Sequence, residues 1–176
     1  MTFDNIDIDI SLQSADWQND FPDYQDHITA CLAQIAQNIP EARNFGRIPH
    51  LELSILLTDD HNIRQLNRQY RDRDKPTNVL SFPSLSGQEI DIHLRQGSEI
   101  PDHPVALGDM VLAYETVSAE AGAQGKTFPD HFCHLFIHGM LHLLGYDHME
   151  KVPAQEMEAM EKKMLSKLSI DDPYQD

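Results

Sequence analysis

The amino-acid sequence predicts an α+β fold, an α/β sandwich in which helices pack on a single mixed sheet of about four strands. The first observation is alternation: residues 6–12 and 51–57 place an apolar side chain at every second position, as strands with one buried face do. The second is the helical spacing of apolar residues across 24–39 and 157–168. No repeat or linker interrupts these patterns, so residues 1–176 are expected to form one catalytic domain with a single core.

The first half of the chain provides two strands and two helices. Ile6 to Leu12 and Leu51 to Leu57 are the predicted strands. Between them, the apolar positions from Tyr24 to Ile39 predict a helix, and Pro40 ends it because proline has no amide hydrogen to donate. Asp60 is expected to cap the helix that follows the second strand. The predicted inner face of that helix consists of Ile63, Leu66 and Tyr70.

The second half begins with a short β-prone run at residues 78–82. Residues 84–105 then mix glycine, proline, serine and charge without periodicity, which predicts a long surface loop or a hairpin excursion. A further strand is expected over 109–114, followed by helices over about 115–125 and 129–144. A last helix closes the chain, and its inward positions are Met157, Met160, Met164 and Leu168.

Charge is distributed unevenly along the chain. The net charge of -16 argues against a protein that attracts polyanions over its whole surface. However, five of the thirteen basic residues fall within twelve positions. Composition alone leaves open whether this cluster is a solvated helix face or an anion-binding patch. The cluster consists of Arg64, Arg68, Arg71, Arg73 and Lys75.

Several features predict a cytoplasmic protein. No run of 18 apolar residues occurs, so no membrane partner is expected. The acidic N-terminal segment lacks the basic part of a secretory signal. Cys31 and Cys133 lie far apart inside helical patterns, and we interpret them as core thiols of a reducing compartment.

Three histidines near residue 140 have the spacing of a metal site. His138 and His142 are one helical turn apart, so both imidazoles project from the same helix face. Gly145 suits a left-handed residue that ends the helix and turns the chain back, which lets His148 approach the same ion. Three imidazoles leave a fourth tetrahedral position for water, as in catalytic zinc sites. The pattern predicts one Zn²⁺ per chain.

This spacing matches the zinc helix of metzincin proteases, with one difference. Those proteases place a glutamate, the general base, directly after the first histidine, and this chain has Gly139 there. His134 could pair with His138, but it lies two turns, about 12 Å, from His142. We therefore interpret His131 and His134 as core residues or as supports of the metal ligands.

Two long segments and one short one resemble the YbeY family of bacterial metal-dependent endoribonucleases, the ribosomal RNA maturation factors. The segment His138–His148 resembles the family's histidine signature, and Leu66–Pro83 resembles its second signature. Leu107–Val111 matches a shorter motif, and the final helix with Asp172–Tyr174 is also similar. The resemblance runs from about residue 51 to the C-terminus. The segment 84–105 is longer than is usual in the family.

The resemblance implies a zinc-dependent, single-strand-specific endoribonuclease that processes the 3′ end of 16S rRNA and acts in ribosome quality control. It also implies two partners, ribosomal RNA and the small ribosomal subunit or one of its proteins. Arg71 would be the catalytic cation, because guanidinium binds phosphate through two donors; a salt bridge from Arg71 to Asp72 or Asp74 is the alternative. Arg68, Arg73 and Lys75 would extend the substrate-binding surface.

Two other classes of protein remain open at this point. A zinc metallopeptidase would share the three histidines but would need a carboxylate base beside the zinc-bound water. A non-catalytic ribosome-assembly factor would use a zinc ion with a closed coordination shell only for folding.

Overall fold

The computed structural model describes residues 3–95, 97, 99–146 and 151–175. Its strands are β1 (Ile6–Leu12), β2 (Leu51–Thr58), β3 (Val79–Pro83) and β4 (Val105–Ala113). Its α-helices are α1 (Ala15–Asp20), α2 (Tyr24–Asn38), α3 (Asp60–Arg71), α4 (Gly87–His93), α5 (Tyr114–Ala123), α6 (Phe128–Leu143) and α7 (Lys151–Lys167). Short 3₁₀ turns occupy Pro40–Ala42 and Phe45–Arg47.

The four strands form one mixed sheet in the order β1-β2-β4-β3. β1, β2 and β4 are parallel, and β3 runs antiparallel to β4 at the edge of the sheet. The alternation predicted from the sequence is present, because Leu51, Leu53, Ile55 and Leu57 of β2 are all buried. The predicted α+β fold is therefore confirmed.

The main core lies between the helices and one face of the sheet. α6 is the most buried helix and packs against α2, α5, α7 and strand β3. Trp17 of α1 is fully buried, and its indole donates to the Thr58 carbonyl at 2.9 Å. Cys31 and Cys133 are buried thiols, as predicted. Within the described ranges, no helix has the length and apolar character needed to cross a membrane.

Two glycines allow α6 to lie unusually close to the sheet. Gly108 follows a register shift between β2 and β4 and has a φ of +142°. A Cβ there would lie 2.4 Å from the Phe82 carbonyl oxygen and 2.9 Å from a methyl of Leu143. A Cβ on Gly139 of α6 would lie 2.8 Å from the sulfur of Met110. The glycines of two sequence motifs therefore bring β3, β4 and α6 together.

The structure corrects the prediction for residues 84–105, which contain helix α4. Ser86 and Glu89 form a capping box, in which each side chain accepts a hydrogen bond from the other's backbone amide. The S-x-x-E spacing was a readable signal for this helix. Ile90 is buried, and its terminal methyl lies 3.2 Å from the position of a Cβ on Gly145. α4 therefore supports the turn that follows α6. The short helix α1 was also missed.

Two predictions about α3 were wrong. Asp59 caps the helix by accepting from the Asn62 amide, whereas the Asp60 carboxylate accepts from the Thr116 amide and hydroxyl. Asp60 thus caps α5, whose own N-cap residue is an alanine. Tyr70 is 61% exposed and contacts the ring of Phe82 edge-on, while Ile63 is buried as expected.

Candidate metal centre and neighbouring arginine

Both ends of α6 are defined by local hydrogen bonds. Thr127 caps the N-terminus by accepting from the Asp130 amide at 3.2 Å. At the C-terminus, Gly145 has a φ of +91° and donates to His142 O, while Tyr146 N donates to Leu141 O. This pair of bonds is the Schellman motif, and it turns the chain back over the end of the helix. The prediction for Gly145 is confirmed.

His138 and His142 point their Nε2 atoms at the same place. The two Nε2 atoms are 3.1 Å apart, and the rings are nearly perpendicular, with centroids 4.7 Å apart. Two imidazole nitrogens bound to one tetrahedral zinc ion lie about 3.3 Å apart, given bond lengths of about 2.0–2.1 Å. The predicted pair on α6 therefore has the separation that a shared ion requires.

A buried carboxylate lies behind His138. Glu161 of α7 is 0% exposed, and its Oε1 is 2.6 Å from His138 Nδ1. Its Oε2 accepts from the Tyr174 hydroxyl and lies 3.4 Å from His134 Nε2. Burial raises the pKa of Glu161, but the hydrogen bonds from His134, His138 and Tyr174 outweigh it and lower that pKa to about 2. These three hydrogen bonds favour the carboxylate form of Glu161.

The other two histidines of α6 are supporting residues, as expected from the sequence. His131 is buried, and its Nε2 lies 2.7 Å from Glu120 Oε2. His134 Nε2 lies 3.2 Å from the Tyr174 hydroxyl. Each imidazole is thus tied to a neighbour of α6.

His148, the third predicted ligand, lies outside the described residues. Within the part of the chain that the structure describes, no group of three histidine, cysteine or acidic residues could hold a metal ion. His138 and His142 fit a zinc ion through their converging nitrogens, and imidazole is a ligand that zinc prefers.

A side chain at position 139 would crowd the residues around it. Besides the clash with Met110, a Cβ on Gly139 would lie 3.0 Å from Ser81 Oγ. Glu161 cannot serve as the missing base either, because it is fully buried and faces Nδ1 of His138 rather than Nε2. The geometry therefore disfavours the chemistry of a metzincin protease.

Two hydrogen bonds connect Arg71 to the histidine helix. The exposed guanidinium donates to the Ser81 carbonyl of β3 at 3.2 Å, and the Ser81 hydroxyl donates to the Gly139 carbonyl at 3.1 Å. Asp74 is paired with Arg64 instead, at 2.9 Å. Among the described carboxylates, none forms an ion pair with Arg71, so the salt-bridge alternative is not supported.

Of the remaining basic residues, Arg68 lies in the last turn of α3, whereas Arg73 and Lys75 lie on the turn that follows the helix. Arg68, Arg73 and Lys75 are exposed. The buried Asn67 holds this turn: its side chain donates to the Lys75 carbonyl at 2.9 Å, and its own carbonyl accepts from the Arg73 amide. The basic residues around Arg71 are therefore exposed on the end of α3 and on a hydrogen-bonded turn.

Sequence reasoning missed Glu161 and Tyr174. Glu161 lies on the inward stripe of α7, four residues after Met157 and three before Met164, both of which are buried. A glutamate within the apolar stripe of a helix needs a hydrogen-bonding partner when it is buried. Its position in that stripe is therefore the sequence signal that predicts a buried polar contact. The role of Tyr174 had no such signal, because the tyrosine lies beyond the end of α7.

Fold and site together define a class of protein: an α+β domain whose helix presents two imidazoles backed by a buried carboxylate, as metal-dependent hydrolases do. The family model described as "Endoribonuclease YbeY" matches residues 9–169. The chain therefore belongs to the YbeY endoribonuclease family, which confirms the resemblance found in the motifs.

Individual relatives agree with the family model. The endoribonuclease YbeY of Paramagnetospirillum magneticum is 44% identical over 171 residues, covering 96% of both chains. That of Bartonella quintana is 42% identical over 170 residues, covering 96% of this chain and 97% of the relative. The solution structure of TM1509 from Thermotoga maritima shares the fold, with a TM-score of 0.54, 19% identity and coverage of 97% of both chains.

Proposed function

We propose that this chain is a zinc-dependent, single-strand-specific endoribonuclease that processes the 3′ end of 16S rRNA and acts in ribosome quality control. Membership of the YbeY family supports an RNA-cleaving, metal-dependent hydrolase of ribosomal RNA maturation. The observation that carries the proposal is the convergence of the His138 and His142 Nε2 atoms on α6, the helix that packs against β3. The Ser81 carbonyl of β3 accepts a hydrogen bond from Arg71 of α3. Residues 1–176 would act as one catalytic domain.

The metal would be held by His138, His142 and His148. A bound zinc ion would supply Lewis-acid activation of water and of a phosphoryl oxygen at neutral pH. The protein's own contribution is to aim the imidazoles. α6 holds His138 and His142 one turn apart, the Schellman motif ends the helix just after them, and Glu161 holds the ring of His138 from behind.

Arg71 would bind the scissile phosphate and stabilise the charge that develops on it. Its bond to the Ser81 carbonyl uses one of the five N–H donors of the guanidinium, and the group is exposed to an incoming phosphate. Guanidinium matches phosphate through two parallel donors. Arg68, Arg73 and Lys75 would extend this contact along the RNA backbone.

The acidic surface bears on how RNA reaches the site. With a net charge of -16 and one basic cluster, the protein would bind free RNA weakly. A docking partner such as the small ribosomal subunit, or one of its basic proteins, would deliver the RNA. This assignment implies a cytoplasmic protein.

The two other classes make different predictions from this one. A metallopeptidase lacks support because glycine occupies position 139, where the metzincin glutamate would stand, and Glu161 is buried. A non-catalytic assembly factor would bind zinc with a closed shell and would not cleave RNA.

The test is single-turnover cleavage of a single-stranded RNA that spans a small-subunit 3′ precursor junction. The protein is purified without a metal-affinity step, and its metal content is measured. We expect near-stoichiometric zinc, cleavage of the single strand, and loss of cleavage when the RNA is annealed to its complement. Cleavage of casein with none of RNA would establish the peptidase, and bound zinc without either activity would establish the assembly factor.

A further inference from the structure

The carboxylate of Glu161 is enclosed by partners on three sides. His138 Nδ1 lies 2.6 Å from Oε1, His134 Nε2 lies 3.4 Å from Oε2, and the Tyr174 hydroxyl donates to Oε2. Glu161 is fully buried, so its side chain needs these partners. A buried carboxyl group with three partners beside the imidazole pair indicates a role there.

The ring nitrogen that Glu161 engages decides what His138 can do. A carboxylate only accepts hydrogen bonds, so Nδ1 must carry the proton of a neutral His138 ring. Nε2 then has its lone pair, and it points toward Nε2 of His142 at 3.1 Å. The carboxylate therefore selects the tautomer that can bind a metal through Nε2.

We propose that Glu161 is a positioning residue of the metal centre, which holds His138 in its Nδ1–H tautomer and is itself fixed by Tyr174 of the C-terminal segment. The proposal rests on the proposed metal site of His138 and His142. It couples α7 and the residues after it to the ligand geometry, because the carboxylate and its tyrosine partner both lie outside α6. Carboxylates in this position raise the basicity of the ligand and fix the ring orientation.

The first experiment measures metal affinity by competition with a chromophoric chelator. Glu161→Gln should weaken zinc binding about 10- to 100-fold, the usual effect of removing such a partner. Tyr174→Phe, which keeps the ring but removes one donor to Glu161, should weaken it less. Glu120→Gln is the matched control, because Glu120 forms the same kind of bond with His131 of the same helix; we expect it to bind zinc as wild type does.

The second experiment reads the tautomer directly, by long-range ¹H–¹⁵N correlation spectra of metal-free protein. His138 of the wild type should be the Nδ1–H tautomer. In Glu161→Gln the amide can turn either its oxygen or its NH₂ toward the ring, so Nε2–H should become populated. A role in folding alone would lower stability without changing the tautomer.

The outcomes separate the two proposals. If wild-type protein binds no zinc at all, the proposed metal site fails, and the positioning role fails with it. If wild type binds zinc but Glu161→Gln binds it equally well, or if wild-type His138 is the Nε2–H tautomer, only the positioning role is overturned. Should Glu161→Gln not fold, the wild-type tautomer and Tyr174→Phe still decide the question.

Discussion

Helix α6 carries two histidine–carboxylate pairs that use opposite nitrogens of the imidazole ring. In its N-terminal half, His131 Nε2 lies 2.7 Å from Glu120, and the whole ring is buried. In its C-terminal half, His138 Nδ1 lies 2.6 Å from Glu161, and Nε2 faces His142. The first pair uses Nε2 to connect α6 to α5, whereas in the second pair Nε2 faces the other predicted ligand. Under the proposed function, the same two residue types would thus give a packing bond or a metal ligand according to which nitrogen is engaged.

The motif at residues 66–83 forms hydrogen bonds beside both pairs. Asn78 donates to Glu120 at 3.1 Å, beside the buried pair. Ser81 donates to the carbonyl of Gly139, beside the converging pair, and its own carbonyl accepts from Arg71. The difference between the two pairs therefore extends to this motif: Asn78 lies beside the His131 pair, and Arg71 lies on the side of the proposed metal centre.

The largest effect is expected from His142→Ala. It removes one of the two converging nitrogens, so RNA cleavage and bound zinc should both be lost, together with any rise in melting temperature on adding zinc. Substitution in the other pair, His131→Gln, should lower stability but leave zinc content unchanged. Elemental analysis and melting curves with and without zinc measure both. Zinc content equal to wild type in His142→Ala would remove it from the ligand set.

Arg71→Ala should reduce single-turnover RNA cleavage about 100- to 1000-fold, as loss of a transition-state donor does. Fold and zinc content should not change, because Arg71 is exposed and forms no ion pair with a described carboxylate. Arg71→Lys should restore only part of the rate, since an ammonium lacks the two-donor fork. Arg64→Ala is the control from the same helix, because Arg64 is paired with Asp74. Equal loss in both variants would indicate a general charge effect.

Gly139→Ala tests the close approach of α6 to the sheet. The added methyl would force Met110 and Ser81 to move, at a cost of about 1–3 kcal/mol in the free energy of unfolding. Gly122→Ala in α5 is the matched control, because a Cβ there meets nothing within 4 Å. That variant should gain about 0.5–1 kcal/mol from helix propensity. Urea denaturation measures both, and a stabilised Gly139→Ala would refute the packing described for this position.

The smallest effect is expected from Glu120→Gln, which should lower the free energy of unfolding by only about 1 kcal/mol at neutral pH. The loss is small because the amide oxygen of the glutamine can still accept a hydrogen bond. Burial raises the pKa of Glu120, but hydrogen bonds from His131 and Asn78 outweigh it, so the pKa lies below its ordinary value of 4.5. A group whose pKa is lower in the folded than in the unfolded state stabilises the fold at pH values above its unfolded pKa. This contribution is lost as the pH falls through the folded pKa. The difference between variant and wild type, in urea midpoints measured against pH, should therefore shrink as the pH falls below 4.5 and disappear below the folded pKa. A constant difference would contradict the assignment.

Most of the fold could be predicted because its strands and long helices follow simple periodicities. The short helices could not be predicted from periodicity: α1 has one buried residue, Trp17, and α4 lies in a segment rich in loop-forming residues. Asp60 caps α5 and not α3, because its carboxylate reaches a helix that is distant in sequence but close in the fold. Ala113, the N-cap residue of α5, has no side-chain acceptor of its own.

The candidate site was predictable where it is local in sequence. His138 and His142 follow from a one-turn spacing, and Gly145 from its place after the helix. Glu161 and Tyr174 were missed because they come from α7 and the segment after it, and only the packing of α7 against α6 brings them to His138. Local spacing predicts candidate ligands, but it does not predict the groups from other elements that contact them.

The most direct test of the account is to locate the metal by anomalous diffraction at the zinc absorption edge, in crystals of protein purified without a metal-affinity step. The account predicts one peak per chain, bonded to Nε2 of His138 and of His142 and to an imidazole nitrogen of His148. A peak at His131 and Glu120, or zinc bound through His138 Nδ1, would contradict it.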